Sequence, residues 1–476
     1  MKHYHLIGIG GTAMGSLAGL LKAAGHTVTG SDENVYPPMS TQLEALGIPY
    51  AEGYRPENLD PAPDIVVVGN AISRGNAELE AALNRKIPYT SAAVTLKEEF
   101  LRGRHVLAVA GTHGKTTTTS MLAWVLESAG LNPAFLIGGV AENFGTSYRL
   151  TDSHYFVIEA DEYDTAYFDK GPKMWHYLPD TAIVNNIEFD HADIYRDDEA
   201  YRFAFARFIN LTPQNGVLIA GWDSPLVREL APKSFAPVDS FGTEAPDTDG
   251  HPRWHAMGIE FAADLTRFDV YHDGVLWGRV ETPVAGRFNV RNCLAVIGAA
   301  ESVGAKRDAI LQGLASFSSV RRRMEVRGVV HGVTVIDDFA HHPTAVRETI
   351  DAVRQRYPDS RIIAVFEPRS YTAQRREFQE PYRAALAAAD IIILAGLFHP
   401  ERYTEATALD PHQLVGDLGA AGRRAEYIPA TDDIVARIIP DLRSGDVVLV
   451  MSNGAFGGIH QKLLGALQDR VVAPGA

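Results

Sequence analysis

The chain has little cysteine, a deficit of positive charge and no long apolar run. Its single cysteine, Cys293, excludes an intrachain disulfide and is typical of a reducing compartment. Asp and Glu outnumber Lys and Arg by 59 to 44, and the formal net charge of −15 argues against nucleic acid as a partner. No apolar run approaches the ~18 residues that span a bilayer, and a strand pattern two residues after Met1 leaves no room for a signal peptide. We therefore expect a cytoplasmic enzyme without membrane insertion.

Apolar strands, glycine turns and helical patterns alternate along the chain and predict three α/β units. A length of 476 residues is also typical of about three domains. The predicted domains are residues 1–103, 104–320 and 321–476. Within the second, residues 244–283 carry turn residues and alternating stretches, which predict a β-rich excursion. Elements predicted next to the motifs are the strands His5–Ile9, His105–Val109, Tyr155–Ile158, Ala182–Val184 and Val333–Ile336, and the helices Ser16–Ala24 and Asn289–Ser302.

A phosphate-binding loop is the most informative motif. It follows a β-branched strand and opens a helix, so backbone N–H groups and the positive helix end would face anionic oxygens. Lys115 would reach the β- and γ-phosphates, and the Thr116 hydroxyl would bind Mg²⁺. The loop is shorter than that of GxxxxGK[ST], because Gly111 is only three residues before Gly114. The pattern predicts ATP as the energy source, bound by Gly111, Thr112, His113, Gly114, Lys115, Thr116 and Thr117.

Two polar runs follow apolar strands and would share a sheet edge with the phosphate loop. Glu159-Ala-Asp-Glu-Tyr-Asp164 follows one strand, and a carboxylate there is suited to hold Mg²⁺ on the γ-phosphate. Asn185-Asn-Ile-Glu-Phe-Asp-His191 follows the next and offers a histidine as a second metal ligand. We predict Glu159 and His191 as metal ligands. A solvated acidic loop and a surface histidine are the alternatives.

A glycine-rich turn, Gly8–Gly15, lies between the first predicted strand and helix. It has the character of a dinucleotide fingerprint, with Asp32 at the end of the next strand, where a ribose-binding acid would lie. Ala13 stands where the third glycine of GxGxxG would be. The turn predicts a diphosphate at the helix N-terminus. These residues alone leave open whether the diphosphate belongs to NAD, to another nucleotide, or whether the turn binds nothing.

The third unit carries Asp337-Asp-Phe-Ala-His-His-Pro343 at the end of its first strand. Asp338 would orient a nucleotide ribose or base, and His341 and His342 would order a substrate. The same run also fits a helix N-cap followed by proline in the first turn. Just before this unit, Arg321-Arg-Arg323 suits either a solvated basic patch or an arginine clamp on phosphate at a domain junction.

Together these motifs resemble the Mur ligases, the ATP-dependent amide ligases of peptidoglycan synthesis. The resemblance covers essentially the whole chain. The phosphate-loop histidine and the Asp-Asp-x-x-His-His-Pro-Thr motif are similar to the branch that uses UDP-N-acetylmuramate. Finer detail in Glu159–Thr165, Phe366–Ser370 and Met451–His460 favours a tripeptide-attaching ligase of peptidoglycan recycling. The five family motifs, in the family's order, are Gly111–Thr117, Glu159–Glu162, Asn186–His191, Asn289–Asn292 and Asp337–Thr344.

The resemblance implies an α/β protein of three domains: a Rossmann-like N-terminal domain for the UDP-sugar, a central P-loop ATPase domain, and a Rossmann-like C-terminal domain for nucleotide and amino substrate. It implies ADP-forming ligation, with ATP and Mg²⁺, of UDP-N-acetylmuramate to the murein tripeptide L-alanyl-γ-D-glutamyl-meso-diaminopimelate through an acyl phosphate, in the bacterial cytoplasm. One departure is Phe288, which stands where the family commonly has histidine before Asn-x-x-Asn.

The resemblance also implies roles for individual residues. Catalysis is assigned to Lys115, Glu159, His191, His341 and His342, and Mg²⁺ to Thr116, Glu159 and His191. The UDP-sugar is assigned to Gly10, Gly11, Thr12 and Asp32, and the peptide to Arg369. The residues added to the phosphate loop at the ATP site are Asn289, Asn292, Arg323 and Asp338.

Three alternative functions stay open at this point. Within the family, the runner-up is the ligase that adds free L-alanine to UDP-N-acetylmuramate. In a different class, the N-terminal glycine turn fits an NAD-dependent oxidoreductase, although the phosphate loop and the acidic strand ends argue against it. The third is a nucleotide-gated binding protein without turnover, which the presence of Lys115 and the acids disfavours.

Overall fold

The computed structural model describes residues 1–36, 39–190, 194–243, 252–404 and 406–470. Three large sheets follow one another along the chain and use residues 3–91, 105–282 and 325–451. Helices cover their faces, so the predicted α/β class is confirmed. Among these described residues, no helix has the length and apolarity of a membrane span. The predicted domain boundaries at residues 103 and 320 stay a prediction.

The first sheet is a doubly wound parallel sheet. Its elements are β1 (His3–Ile7), α1 (Thr12–Ala23), β2 (Thr27–Asp32), α2 (Met39–Ala45), β3 (Tyr50–Glu52), β4 (Ile65–Val68), α3 (Ala77–Asn84), β5 (Tyr89–Ser91) and α4 (Ala92–Leu96), with a π-helical turn at Lys97–Leu101. The strand order is β3-β2-β1-β4-β5. The glycine turn after β1 therefore lies where the strand order reverses, the usual ligand position in such sheets.

The predicted strand His5–Ile9 is wrong by two residues at each end, because the strand is β1, His3–Ile7. Gly8 has a φ of +88°, a left-handed conformation that ends the strand and turns the chain. The helix likewise begins at Thr12, four residues before the predicted start at Ser16. The whole turn is thus shorter than the sequence suggested, and α1 begins directly after Gly11.

The second sheet is built on the phosphate loop. Its elements are β6 (His105–Ala110), α5 (Lys115–Ser128), β7 (Ala134–Ala141), β8 (Thr146–Arg149), β9 (Tyr155–Glu159), β10 (Asp164–Ala166), β11 (Asp169–Pro172), β12 (Thr181–Val184), α6 (Asp198–Asn210), β13 (Val217–Gly221), α7 (Pro225–Leu230), β14 (Val238–Gly242), β15 (Trp254–Phe261), β16 (Thr266–His272), β17 (Val275–Thr282), α8 (Arg287–Ser302) and α9 (Arg307–Ala315). The order is β17-β16-β15-β14-β13-β12-β6-β9-β7-β8, and β10 pairs separately with β11.

Strand β6 lies in the middle of this sheet, parallel to β12 on one side and β9 on the other. The carboxyl ends of the three strands therefore meet at one edge, which carries the phosphate loop and both polar runs. The predicted β-rich excursion corresponds to β15–β17, an antiparallel extension. The part of that prediction at residues 244–251 lies outside the described residues.

The third sheet is mostly parallel. Its elements are β18 (Glu325–Val330), β19 (Val333–Asp338), α10 (Pro343–Arg356), β20 (Ile362–Phe366), α11 (Gln379–Leu386), β21 (Ile391–Leu394), α12 (Pro411–Ala420), β22 (Arg424–Tyr427), α13 (Thr431–Ile438), β23 (Val447–Met451) and α14 (Ile459–Gln468). The order is β18-β19-β23-β20-β21-β22, with β18 antiparallel at the edge. Strands β20 and β23 are buried along their whole length, as central strands covered on both faces should be.

Helix α1 of the first sheet packs on the β7–β8 hairpin of the second. The Tyr148 ring lies on Gly19, where an added Cβ would come within 2.2 Å of the ring. Next to it, the Ser16 and Ser147 hydroxyls form a buried hydrogen bond of 2.9 Å. The helix that begins at the N-terminal glycine turn is therefore fixed directly against the unit that carries the phosphate loop.

Candidate active site

Two glycines and the segment after β12 fix the conformation of the phosphate loop. Gly111 and Gly114 have φ values of +138° and +81°, which side chains rarely adopt. Thr112 fixes the loop to the segment after β12, since its N–H donates to the Asn186 carbonyl at 3.1 Å and its hydroxyl to the Glu188 carbonyl at 2.9 Å. Thr112 therefore stabilises the conformation of the phosphate loop.

Lys115 is held at the bottom of the loop by an acid that the sequence analysis did not assign. Its Nζ donates to the Gly111 carbonyl and to Glu162 Oε2, both at 2.7 Å, and the Glu162 side chain is fully buried. Burial opposes the charged ammonium, but Glu162, Asp161 and Glu159 outweigh it and raise the pKa of Lys115. The only sequence signal for Glu162 was its place as the last acid of the Glu-Ala-Asp-Glu motif.

Thr116 connects the central domain to the C-terminal unit. Its Oγ1 donates to Glu159 Oε1 at 2.8 Å and accepts from Arg323 Nη2 at 3.1 Å. The other Glu159 oxygen accepts from the Gly138 N–H at 2.7 Å. Burial and the nearby Asp161 raise the pKa of Glu159 to about 7. The Thr116 hydroxyl and the Glu159 carboxylate thus offer oxygen ligands next to the phosphate loop. Mg²⁺ prefers oxygen ligands of this kind.

The two predicted asparagines of α8 lie beside the loop. Asn292 Nδ2 donates to Asn289 Oδ1 at 3.0 Å, and Asn289 Nδ2 donates to the Ala285 carbonyl at 2.7 Å. A Cβ on Gly114 would lie 2.8 Å from Asn292 Oδ1, so this amide faces the loop directly. Thr117 is buried in the first turn of α5. The structure thus brings these predicted ATP-site residues together.

The carboxylate of Asp338 is hydrogen-bonded within the protein. Its carboxylate accepts the N–H groups of Met324 and Ala340, both at 2.8 Å, and it is buried. Burial raises the pKa of Asp338, with the Arg323 guanidinium opposing the shift. Arg322 and Met324 both have left-handed backbone conformations, at φ +61° and +51°. Asp338 therefore fixes the strained junction turn that presents Arg323.

A second contact between the two units joins three side chains from the phosphate loop, the segment after β12 and the start of α10. Glu188 Oε2 lies 3.2 Å from His113 Nε2 and 3.6 Å from His342 Nδ1. Burial and the neighbouring His113 lower the pKa of His342 to about 4, so its imidazole is neutral at pH 7. Ligand atoms of the three side chains lie within 4.8 Å of one another, close enough for one cation. His342 is also the N-cap of α10.

His341 points to the same segment of the central domain. Its Nε2 lies 4.0 Å from Asp190 Oδ2, and Thr372 Oγ1 donates to Asp190 Oδ1 at 2.6 Å. Two loops of the C-terminal unit thus meet the run that ends in His191. His191 itself lies outside the described residues. Arg369 lies on the second of these loops, after β20.

The N-terminal turn lies on the first sheet, apart from these residues. Gly10 N–H donates to Asp32 Oδ2 at 2.9 Å, and a Cβ on Gly10 would lie 3.0 Å from that oxygen. Gly11 is the N-cap of α1 and Thr12 its first residue, with no side chain capping the helix. The free N–H groups of this helix end and the acid beside them match the requirements of a nucleotide diphosphate and ribose.

The chain belongs to the Mur ligase family. Models of the family's catalytic, middle and glutamate ligase domains match residues 3–103, 109–300 and 322–454. Over 474 residues it is 44% identical to the UDP-N-acetylmuramate–L-alanyl-γ-D-glutamyl-meso-2,6-diaminoheptandioate ligase of Haemophilus influenzae, covering 98% of this chain and 100% of that protein.

Two further comparisons concern a solved structure and a relative that is named for a different reaction. A crystal structure of a murein peptide ligase from Psychrobacter arcticus has a TM-score of 0.72 and 38% identity, covering 99% of this chain and 100% of that one. The UDP-N-acetylmuramate–L-alanine ligase of Syntrophus aciditrophicus is 33% identical over 470 residues, covering 98% of this chain and 94% of that protein. The predicted family, fold class and ligase activity are confirmed, and the oxidoreductase alternative is disfavoured.

Proposed function

We propose that this chain joins the lactyl carboxylate of UDP-N-acetylmuramate to the amine of L-alanyl-γ-D-glutamyl-meso-diaminopimelate. The observation that carries the proposal is the full-length likeness to ligases named for this reaction, at 44% identity against 33% for an alanine ligase. Since the reaction consumes ATP, we place it in the bacterial cytoplasm. Addition of L-alanine is the competing reaction, because it uses the same nucleotide sugar and the same family fold.

The chemistry requires activation of a poor acyl donor. A carboxylate oxygen attacks the γ-phosphorus of ATP, the bond to ADP breaks, and an acyl phosphate forms. The peptide amine then attacks the acyl carbon, the tetrahedral intermediate expels inorganic phosphate, and the amine loses a proton. Negative charge develops first on the transferring phosphoryl group and then on the acyl oxygen, so cations and N–H groups at fixed positions should supply most of the rate enhancement.

The residues of the loop fit this sequence of steps. Lys115 exchanges its contact with Glu162 for the γ-phosphate, and Arg323 adds a second cation from the C-terminal unit. Thr116 and Glu159 fit Mg²⁺, which would neutralise phosphate charge when bound. We also propose His191 as a ligand of a second metal ion. Asn289 and Asn292 line the nucleotide next to Gly114, while Asp338 acts through the turn that carries Arg323.

The substrates approach from the two flanking units. We assign the UDP diphosphate to the turn of Gly10, Gly11 and Thr12 at the N-terminus of α1, and the ribose to Asp32. His341 and His342 face the central domain from the C-terminal unit, where the amine must arrive. Because His342 is neutral at pH 7, it suits a role as hydrogen-bond partner of the incoming amine, while a pKa of about 4 makes its imidazole a weak base.

Nucleotide binding should depend on pH through Glu159. Its pKa of about 7 means that a metal ion must displace a proton at lower pH. The affinity for Mg²⁺ and nucleotide should therefore rise about fivefold from pH 6 to pH 7 and about twofold more from pH 7 to pH 8. Calorimetric titration of Mg²⁺ with a non-hydrolysable ATP analogue at pH 6, 7 and 8 measures this. Glu159→Gln is the control, since its remaining pH dependence belongs to the nucleotide. Identical pH profiles for the two proteins would contradict the assignment.

The proposed reaction is tested by ATP-dependent phosphate release with UDP-N-acetylmuramate and one acceptor at a time. We expect release with the tripeptide, slower release with L-alanine, and only background release without an acceptor. The amide product should have the summed mass of the two substrates less one water. Faster turnover with L-alanine would contradict the proposal and favour the biosynthetic ligase.

A further inference from the structure

The loop after β20 carries a cation and an anion side by side. Arg369 Nη1 lies 3.8 Å from Glu367 Oε1, and their side chains are 31% and 12% exposed. Within the described part of the chain, the Arg369 guanidinium donates no hydrogen bond. Arg322 differs, because its Nη2 donates to the carbonyls of Ser452 at 2.6 Å and Gly454 at 2.8 Å. Arg369 thus keeps its N–H donors available at a half-buried position.

Both charged groups are fixed by neighbours other than each other. The guanidinium of Arg369 lies over the Phe398 ring, 3.8 Å from its centroid, and its side chain crosses Gly454. A Cβ on Gly454 would lie 2.2 Å from Arg369 Cδ, so only glycine leaves room for this position. Glu367 Oε2 accepts a hydrogen bond from the Ser452 hydroxyl. The two charged groups are held in place without a hydrogen bond to each other. Both can therefore bind a charged ligand.

The pair lies on the reaction side of the C-terminal sheet, within reach of the tripeptide substrate. Strand β20 is two strands from β19, with β23 between them. At ~4.8 Å per strand, the pair is therefore ~10 Å from the run that carries His341 and His342. An extended α-linked tripeptide spans about 10 Å. The γ-glutamyl link and the diaminopimelate side chain make this substrate longer, so it can reach from the histidines to the pair. The same loop contacts the central domain through Thr372 and Asp190.

We propose that Glu367 and Arg369 form a subsite for the free amino-acid end of the diaminopimelate residue. That end carries an ammonium and a carboxylate on one carbon. The Arg369 guanidinium binds the carboxylate and the Glu367 carboxylate binds the ammonium, so the ligand separates the two protein charges and satisfies both. This inference rests on the proposed function and explains how one end of the tripeptide is recognised while its other end reacts.

The test compares acceptors that lack one charge at a time. One tripeptide carries L-lysine in place of diaminopimelate and lacks the distal carboxylate. The other carries 2-aminopimelate and lacks the distal ammonium. A bidentate guanidinium–carboxylate contact in a half-buried site should give the wild type about 100-fold higher kcat/KM for the diaminopimelate peptide than for the lysine peptide. We expect Arg369→Gln to lose that preference while turnover of the lysine peptide changes less than threefold.

Three further variants separate recognition from folding. Glu367→Gln should lose the preference for diaminopimelate over 2-aminopimelate and leave turnover of the 2-aminopimelate peptide unchanged. Gly454→Ala changes no charge but displaces Arg369, so it should reproduce the Arg369→Gln pattern, and Arg369→Lys should restore part of the preference. Equal losses with all three peptides in Arg369→Gln would show a structural role and overturn the subsite.

The same experiment distinguishes failure of the subsite from failure of the proposed reaction. A wild-type enzyme that uses the diaminopimelate and lysine peptides equally well would overturn the subsite and leave the ligase reaction intact. A wild-type enzyme that uses L-alanine but no tripeptide would overturn the proposed function, and with it the ligand of this subsite.

Discussion

Replacing Lys115 by alanine should lower kcat by about 10³-fold, because it removes the cation nearest to the transferring phosphoryl group. The substitution also removes the ammonium that neutralises Glu162, whose side chain is fully buried. Breaking a buried pair on one side costs about 3–5 kcal/mol of stability. We therefore expect a stability loss together with the catalytic loss, measured by denaturant unfolding and by phosphate release.

The double variant Lys115→Ala, Glu162→Gln separates these two losses. It removes both charges, so most of the stability should return while kcat stays low. If turnover returned together with stability, Lys115 would be a structural residue and its place in the mechanism would be wrong. Near-normal turnover of the single variant would contradict the mechanism in the same way.

Replacing Arg323 by alanine should lower kcat by about 10²-fold with little change in stability, because a cation supplied from a second unit stabilises the transition-state charge. Its Nη2 contacts Thr116 Oγ1 across the junction. The guanidinium is therefore positioned where phosphate charge develops, and its loss should affect kcat more than the KM for ATP.

Arg321→Ala provides the matched control for Arg323. Arg321 is two residues away, 59% exposed, and pairs with Glu142 on the surface. Surface pairs of this kind contribute little, so kcat should change less than threefold. Equal losses in both variants would show that the basic run acts through general electrostatics rather than through the contact with Thr116.

The buried parallel strands were predictable from sequence, and the short polar strands were not. Ile362–Phe366, Ile391–Leu394 and Val447–Met451 are continuous apolar runs, as strands covered on both faces must be. Strands β10 and β11 carry Asp, Lys and Gly, and their pairing depends on a hairpin that periodicity does not reveal. The predicted start of the first helix was also misplaced. The left-handed conformation of Gly8 makes the turn short, and the sequence pattern does not reveal that conformation.

The candidate site was predictable where residue type alone indicates the chemistry. Lys115, Thr116 and Glu159 follow strand ends in a recognisable pattern, and they meet in the structure. Glu162 and Glu188 were not assigned, because their importance lies in tertiary partners: Lys115 for the first, and two histidines from different loops for the second. Asp338 is the opposite case. The sequence predicted a role for it at the nucleotide, but its carboxylate accepts hydrogen bonds from backbone N–H groups of its own chain.

The most direct test of the central claim is a competition in one reaction. The enzyme, ATP, Mg²⁺ and UDP-N-acetylmuramate are mixed with equal concentrations of L-alanine and L-alanyl-γ-D-glutamyl-meso-diaminopimelate, and both amide products are measured by mass. We expect the tripeptide product to be in clear excess at early times. An excess of the L-alanine product would contradict it, and would move the chain to the biosynthetic step of the same family.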